Sequence, residues 1–259
     1  MLFLVSVLVI CLIWYFLKSL AHFSSNILKL VRKCSVYTRF LHRWIQSAPA
    51  TFTYTAIFCA FTLVQHTTSS HLIEILTNQN STNIARTAKQ PIAMFFDSAL
   101  WVADEGAGLV IYVLIFMIFI AWAERHYGTP RMIVIGACGH VIGSVLTILL
   151  EIWAINTHRA PSSLAMTTDV GVSYIMVAGC AAAILLMRKK ALILGLLAIF
   201  AFIVIPIFFD RSIWDMGHFF ATTIGFIVAG ISLKLVPLRQ VSSPLNLLAE
   251  VRAEVSKLS

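Results

Sequence analysis

The chain has 259 residues, 59% of them hydrophobic and 12% charged, with a mean hydropathy of +0.90 and a formal charge of +8. That balance excludes an ordinary soluble domain and points to a protein that crosses a membrane several times. Apolar runs of about 17 to 25 residues span the roughly 30 Å hydrocarbon layer as helices. Seven such runs are predicted, at about 2–17, 51–66, 108–123, 132–153, 170–187, 191–209 and 216–235. They are too long and too evenly apolar for barrel strands, so the expected fold class is all-α, a polytopic membrane helical bundle.

The first run, 2–17, has no basic residue before it and is followed by Lys18, Lys29, Arg32 and Lys33. Those flanks favour an uncleaved transmembrane anchor over a secretory signal. Residues 18–47 then read as a basic cytoplasmic linker, 48–235 as one membrane domain and 236–259 as a cytoplasmic tail. Apolar residues at helical spacing in the tail predict a surface helix. The long loop at 67–107 carries Phe95, Phe96, Leu100 and Trp101, and is expected to pack on the bundle or dip into the interface. No internal repeat is visible, which argues against an inverted-repeat transporter.

Assigning the stretches between spans alternately to two sides leaves only Arg86, Lys89, Arg159 and Arg211 on one side, against fifteen lysines and arginines on the other. The positive-inside rule then predicts a plasma-membrane protein with its N-terminus outside and its C-terminus cytoplasmic. Topology accounts for the basic charge, so no nucleic-acid partner is implied. The bilayer is the expected partner, with 29–43 as a surface for anionic headgroups. Cys11, Cys59, Cys138 and Cys180 fall in apolar runs and Cys34 on the cytoplasmic side, where they read as packing residues without a disulfide framework. The histidines lack metal-ligand spacing, and no metal or organic cofactor is expected.

Small residues mark where helices can approach: Gly139 with Gly143, Gly179 with Ala183, and Ala221 with Gly225. Polar residues interrupt two of the same spans. Ser173 lies four residues after Asp169, and His218 three after Asp215. Both of those spans run in the same direction, so the two side chains sit about 6 and 4.5 Å below their carboxylates, at similar depth. A histidine within about 3 Å activates a serine as a nucleophile. The plainer reading is a serine bonded to the carbonyl one turn back. An ionisable group inside a span is costlier, so His218 carries more functional weight. Asp169 and Asp215 read as helix-start residues. His140, in "GACGHVIGS", lies about 20 Å from the end of its span at Trp153. It is expected to be a buried structural residue away from Ser173.

These residues resemble the rhomboid intramembrane serine proteases, and most closely a divergent bacterial group of rhomboid-like membrane proteins. "GVSY" at 171–174 is similar to the family's G-x-S-G, with Tyr174 replacing the second glycine. "HFFATTIG" at 218–225 resembles its histidine helix, "AERHYGTPRM" resembles its E-x-x-x-G through Glu124 and Gly128, and "FFDSALWV" resembles the loop before that helix. The resemblance implies a six-helix core over about 48–235, with the first helix as an addition. It also implies catalytic roles for Ser173 and His218, and close packing at Gly171, Gly179, Ala221 and Gly225. The family's H-x-x-x-N, whose side chains assist the oxyanion, falls near Gly108 and Tyr112 and is absent. Tyr112 and Tyr174 are the candidate replacement donors. The implied activity is a serine endopeptidase that cleaves transmembrane protein substrates near the outer leaflet. The alternative is a catalytically inactive relative that binds membrane-protein clients.

Overall fold

The computed structural model describes residues 2–102, 108–210 and 212–257, and every regular element among them is a helix. Arg211 and the 103–107 part of the long loop lie outside the described residues. In chain order the helices begin with α1 (Leu2–Leu20), α2 (Ser25–Gln46), α3 (Pro49–Thr67), α4 (Ser70–Gln79), α5 (Ile84–Thr87) and α6 (Pro91–Ser98). They continue with α7 (Leu109–Tyr127), α8 (Thr129–Asn156), α9 (Val172–Leu186), α10 (Lys190–Phe209), α11 (Ile213–Leu235) and α12 (Pro244–Lys257). A 3-10 turn at Ser162–Met166 lies between α8 and α9. The chain divides into two compact units, Met1–Pro49 with Gln240–Ser259, and Ala50–Arg239.

In the first unit the basic 18–47 stretch is mostly the helix α2, because its apolar residues recur at helical spacing and bury Val31 and Trp44. The tail helix α12 packs along α2, burying Leu247 and Val251. The Arg43 guanidinium donates from Nη2 to both carboxylate oxygens of Glu254, at 2.8 and 2.7 Å. Both side chains are substantially exposed, so this pair contributes at most about 1 kcal/mol.

The second unit is built around α8, α9 and α11, which meet through their small residues. A Cβ on Gly139 would lie 2.3 Å from the Ala178 Cβ, and one on Gly225 would lie 2.6 Å from the Ala178 Cα. Gly143 faces Ala221, and Gly179 faces Ile120 of α7. With no hydrophobic force between helices in lipid, this close approach supplies the van der Waals contact that holds them. Helix α7 carries a π-helical turn at Phe116–Ile120 and is joined to α3 by a cluster of Tyr54, Phe58 and Phe116, with ring centroids 5.2 to 5.4 Å apart. The fully buried Glu124 accepts from Ala50 N, Thr51 N, Thr51 Oγ1 and Thr129 Oγ1. One carboxylate thus satisfies orphan donors at the start of α3 and fixes the start of α8. Gly128 between α7 and α8 has φ +87°, which a side chain would strain.

Among the described residues four helices are long and apolar enough to cross a membrane, α7, α8, α10 and α11, or five if α2 and α3 count as one broken span. The sequence predicts seven. The difference lies in α1, α3 and α9. Helix α9 has 15 residues, about 22 Å at 1.5 Å per residue. It is short because the preceding loop enters the protein and the helix begins inside it. There the loop's backbone is satisfied by protein groups: Gly171 N–H donates to Ser98 O, and Asp169 O accepts from Thr82 N–H, both at 2.8 Å. Irregular backbone survives at such depth only when buried in protein or lining a wet cavity.

Candidate functional site

Ser173 is the second residue of α9, one turn above the glycine-lined contact with α11. His218 lies in the second turn of α11, whose start is fixed by a capping box: Ser212 Oγ accepts from Asp215 N–H, and the Asp215 carboxylate accepts from Ser212 N–H. These two helix starts bring His218 Nε2 to 2.9 Å from Ser173 Oγ. With the ring proton on Nδ1, the serine O–H donates to Nε2. The N–H groups of the first turn of α9, including that of Ser173, have no acceptor within the helix.

Ser173 and His218 open onto a cavity of about 800 Å³, also lined by Gln65, Glu74, Tyr112 and Asp215. One wall comes from α4, a part of the long loop, so this loop packs against the bundle as expected. Further bonds hold the segment leading into α9 between the loop and α11: Thr168 Oγ1 donates to Asn78 Oδ1 of α4 at 2.8 Å, and Trp214 Nε1 of α11 donates to Thr168 O at 3.1 Å.

The two tyrosines occupy different places. Tyr112 lines the cavity. Tyr174 is fully buried, and its hydroxyl donates to Asp169 Oδ2 at 2.8 Å and lies 3.3 Å from Thr147 Oγ1. Its ring packs on His218, with centroids 5.6 Å apart and planes tilted by 54°. A Cβ on Gly217 would lie 1.7 Å from the Tyr174 hydroxyl oxygen, so only glycine lets the phenol through. Tyr174 therefore braces the histidine, and its proton is committed to Asp169.

Asp215 is a helix-start residue, as its position suggests. Asp169 is not, because Gly171 caps α9 and Asp169 turns inward to Tyr174 and Thr82. Burial lifts its carboxyl to about 7, against the downward pull of the bonds from Tyr174 and Thr82. His140 is buried, as expected, but it lies against the segment that leads to Ser173 rather than away from it. Its ring fills the space above Gly171, where a Cβ would lie 2.2 Å from its Cε1, and its Nε2 lies 3.0 Å from Phe95 O and 3.3 Å from Ser98 Oγ. The start of α9 inside the protein brings Gly171 down to that level. Sequence reasoning missed Gly217, the Tyr174–Asp169 pair and this histidine contact; a glycine directly before His218 was the only local signal.

These helices and this juxtaposition define a polytopic membrane bundle holding a serine and a histidine in hydrogen-bond contact within a cavity. A family model described as rhomboid-like protein matches residues 43–234, and the chain belongs to that family. No curated protein and no solved structure matches the chain.

Proposed function

We propose that this protein is an intramembrane serine endopeptidase that cleaves transmembrane protein substrates near the outer leaflet of the plasma membrane. The observation that carries the reading is the 2.9 Å contact between His218 Nε2 and Ser173 Oγ. Nε2 takes the hydroxyl proton as Oγ attacks the scissile carbonyl carbon, giving a tetrahedral oxyanion and an imidazolium. The oxyanion accepts from the Ser173 backbone N–H and from the Tyr112 phenol, the candidate donor that lines the cavity. Collapse breaks the C–N bond, and the imidazolium gives its proton to the leaving amine. Water then attacks the acyl-enzyme while His218 takes its proton and returns it to Ser173 Oγ. The 800 Å³ cavity is roomy enough for that water and an unwound peptide segment. A substrate helix must unwind, because its internal hydrogen bonds hide the scissile carbonyl.

The same reading takes residues 1–17 as an added anchor and 48–235 as the membrane domain. The cation distribution supports seven crossings with the N-terminus outside. One observation favours a second reading, a client-binding protein without catalysis: Gly108 and Tyr112 stand where the resemblance calls for H-x-x-x-N. Proteoliposomes holding the protein and a single-span reporter with a weak helix start separate the two. Cleavage lost in Ser173→Ala supports the protease. Stable reporter association without cleavage by folded wild type supports client binding.

A further inference from the structure

Within the first unit, α1, α2 and α12 enclose a pocket of about 290 Å³. Its wall carries Trp14 and Lys18 from α1, Arg32, Ser35 and Arg39 from α2, and Val255 from α12. Helical spacing explains the convergence: Trp14 and Lys18 are one turn apart, and Arg32, Ser35 and Arg39 follow the same face of α2 over two turns. The positive-inside rule accounts for cations on one side of a membrane, but not for three of them on one concave wall.

Among the described residues no carboxylate lines this wall. Among the described residues the ion pairs are Arg43 with Glu254 and Arg86 with Asp97, so neither involves Lys18, Arg32 or Arg39. Two guanidinium forks and an ammonium match the planar and point-charge recognition of phosphate oxygens. Ser35 Oγ donates to Arg32 O at 2.6 Å, so its proton is used and recognition rests on the cations.

The surroundings choose between a free phosphate and a lipid. Leading to the pocket, α1 exposes Leu8, Ile10, Leu12 and Ile13, each at least half exposed. Trp14 and Lys18 follow in the order typical of a membrane–water interface, aromatic ring and then cation. A headgroup seated in the pocket lays its acyl chains along this apolar flank, where a free phosphate gains nothing. We propose that Lys18, Arg32 and Arg39 form a binding site for the phosphate of an anionic glycerophospholipid, with Trp14 at the junction of headgroup and chains.

The test is native mass spectrometry of the full chain in neutral detergent, titrated with dioleoyl-phosphatidylglycerol, dioleoyl-phosphatidylcholine or inorganic phosphate. The comparison variants are K18Q/R32Q/R39Q and K29Q/K33Q/R252Q, the latter removing three exposed cations of the same unit outside the pocket. Each pocket cation is expected to contribute about five-fold in affinity, so the first variant loses roughly 100-fold for phosphatidylglycerol and the second stays near wild type. R39Q alone should lose about five-fold, and decides the matter if the triple variant is not monodisperse and helical. Equal losses in both triple variants, equal binding of phosphatidylcholine, or displacement of phosphatidylglycerol by millimolar inorganic phosphate would each overturn the proposal.

Discussion

His218 Nε2 lies 2.9 Å from Ser173 Oγ, although the two residues are 45 positions apart and sit on different helices. Their meeting depends on α9 and α11 closing through Gly139, Gly143, Gly225 and Ala178, and on Gly217 admitting the Tyr174 phenol beneath the imidazole. Residues outside the pair therefore control its geometry.

The tyrosines should separate by readout. Tyr112→Phe removes the proposed oxyanion donor and is expected to lower kcat by about 100- to 1000-fold. Tyr174→Phe takes the phenol donor from the buried Asp169 carboxyl, leaving Thr82 as its side-chain donor, and is expected to cost about 1–3 kcal/mol of stability. Reporter cleavage and detergent-phase thermal denaturation on both variants check this; a Tyr112→Phe enzyme with wild-type kcat removes Tyr112 from the mechanism.

Alanine at two glycines should act differently. Gly225→Ala places a Cβ against the Ala178 backbone, which cannot rotate away, and is expected to cost about 1–3 kcal/mol. Gly171→Ala, two residues before Ser173, drives a methyl into the His140 ring, and is expected to lower the proposed activity even in the fraction that remains folded. Melting curves paired with active-site titration separate the two effects.

Asp169 predicts a pH dependence of stability. The folded protein holds its proton up to about 7, whereas an unperturbed carboxyl releases it near 3.8. Between those values the folded state binds more protons, so this contribution is complete below about 4, falls as pH rises towards 7, and is flat above. Asp169→Asn keeps the shape and should remove that slope from a plot of melting temperature against pH. An unchanged slope assigns the dependence to another group.

Glu124→Ala should be among the most destabilising single changes. It leaves the part-buried N–H of Ala50 and the buried N–H of Thr51 without their acceptor, at up to about 1–3 kcal/mol for the buried group. Glu124→Gln retains one acceptor oxygen and should recover part of the loss, as read by thermal denaturation.

Much of this arrangement was legible in the sequence, for identifiable reasons. Apolar length marked α7, α8, α10 and α11, and Ser173 and His218 stood out as polar residues near the starts of two apolar runs. Small residues at four-residue spacing marked the contact among α8, α9 and α11. What remained hidden depends on where the chain enters and leaves the bundle. An apolar run does not reveal that α9 begins inside the protein, so it does not show that Gly171, two residues before Ser173, meets the His140 ring. The turn of Asp169 from the helix start towards Tyr174 likewise depends on a neighbour that only the folded bundle supplies. The basic stretch before α3 forms a helix through a narrow apolar face that buries Val31 and Trp44, a face interrupted by too many cations to resemble a membrane span.

The most direct test of the central claim is labelling of the purified protein in bilayers by a serine-directed fluorophosphonate probe. An activated serine predicts labelling of wild type that is lost in both Ser173→Ala and His218→Ala. A folded wild-type protein that takes up no label, or a His218→Ala variant that labels as well as wild type, contradicts the claim that His218 activates Ser173.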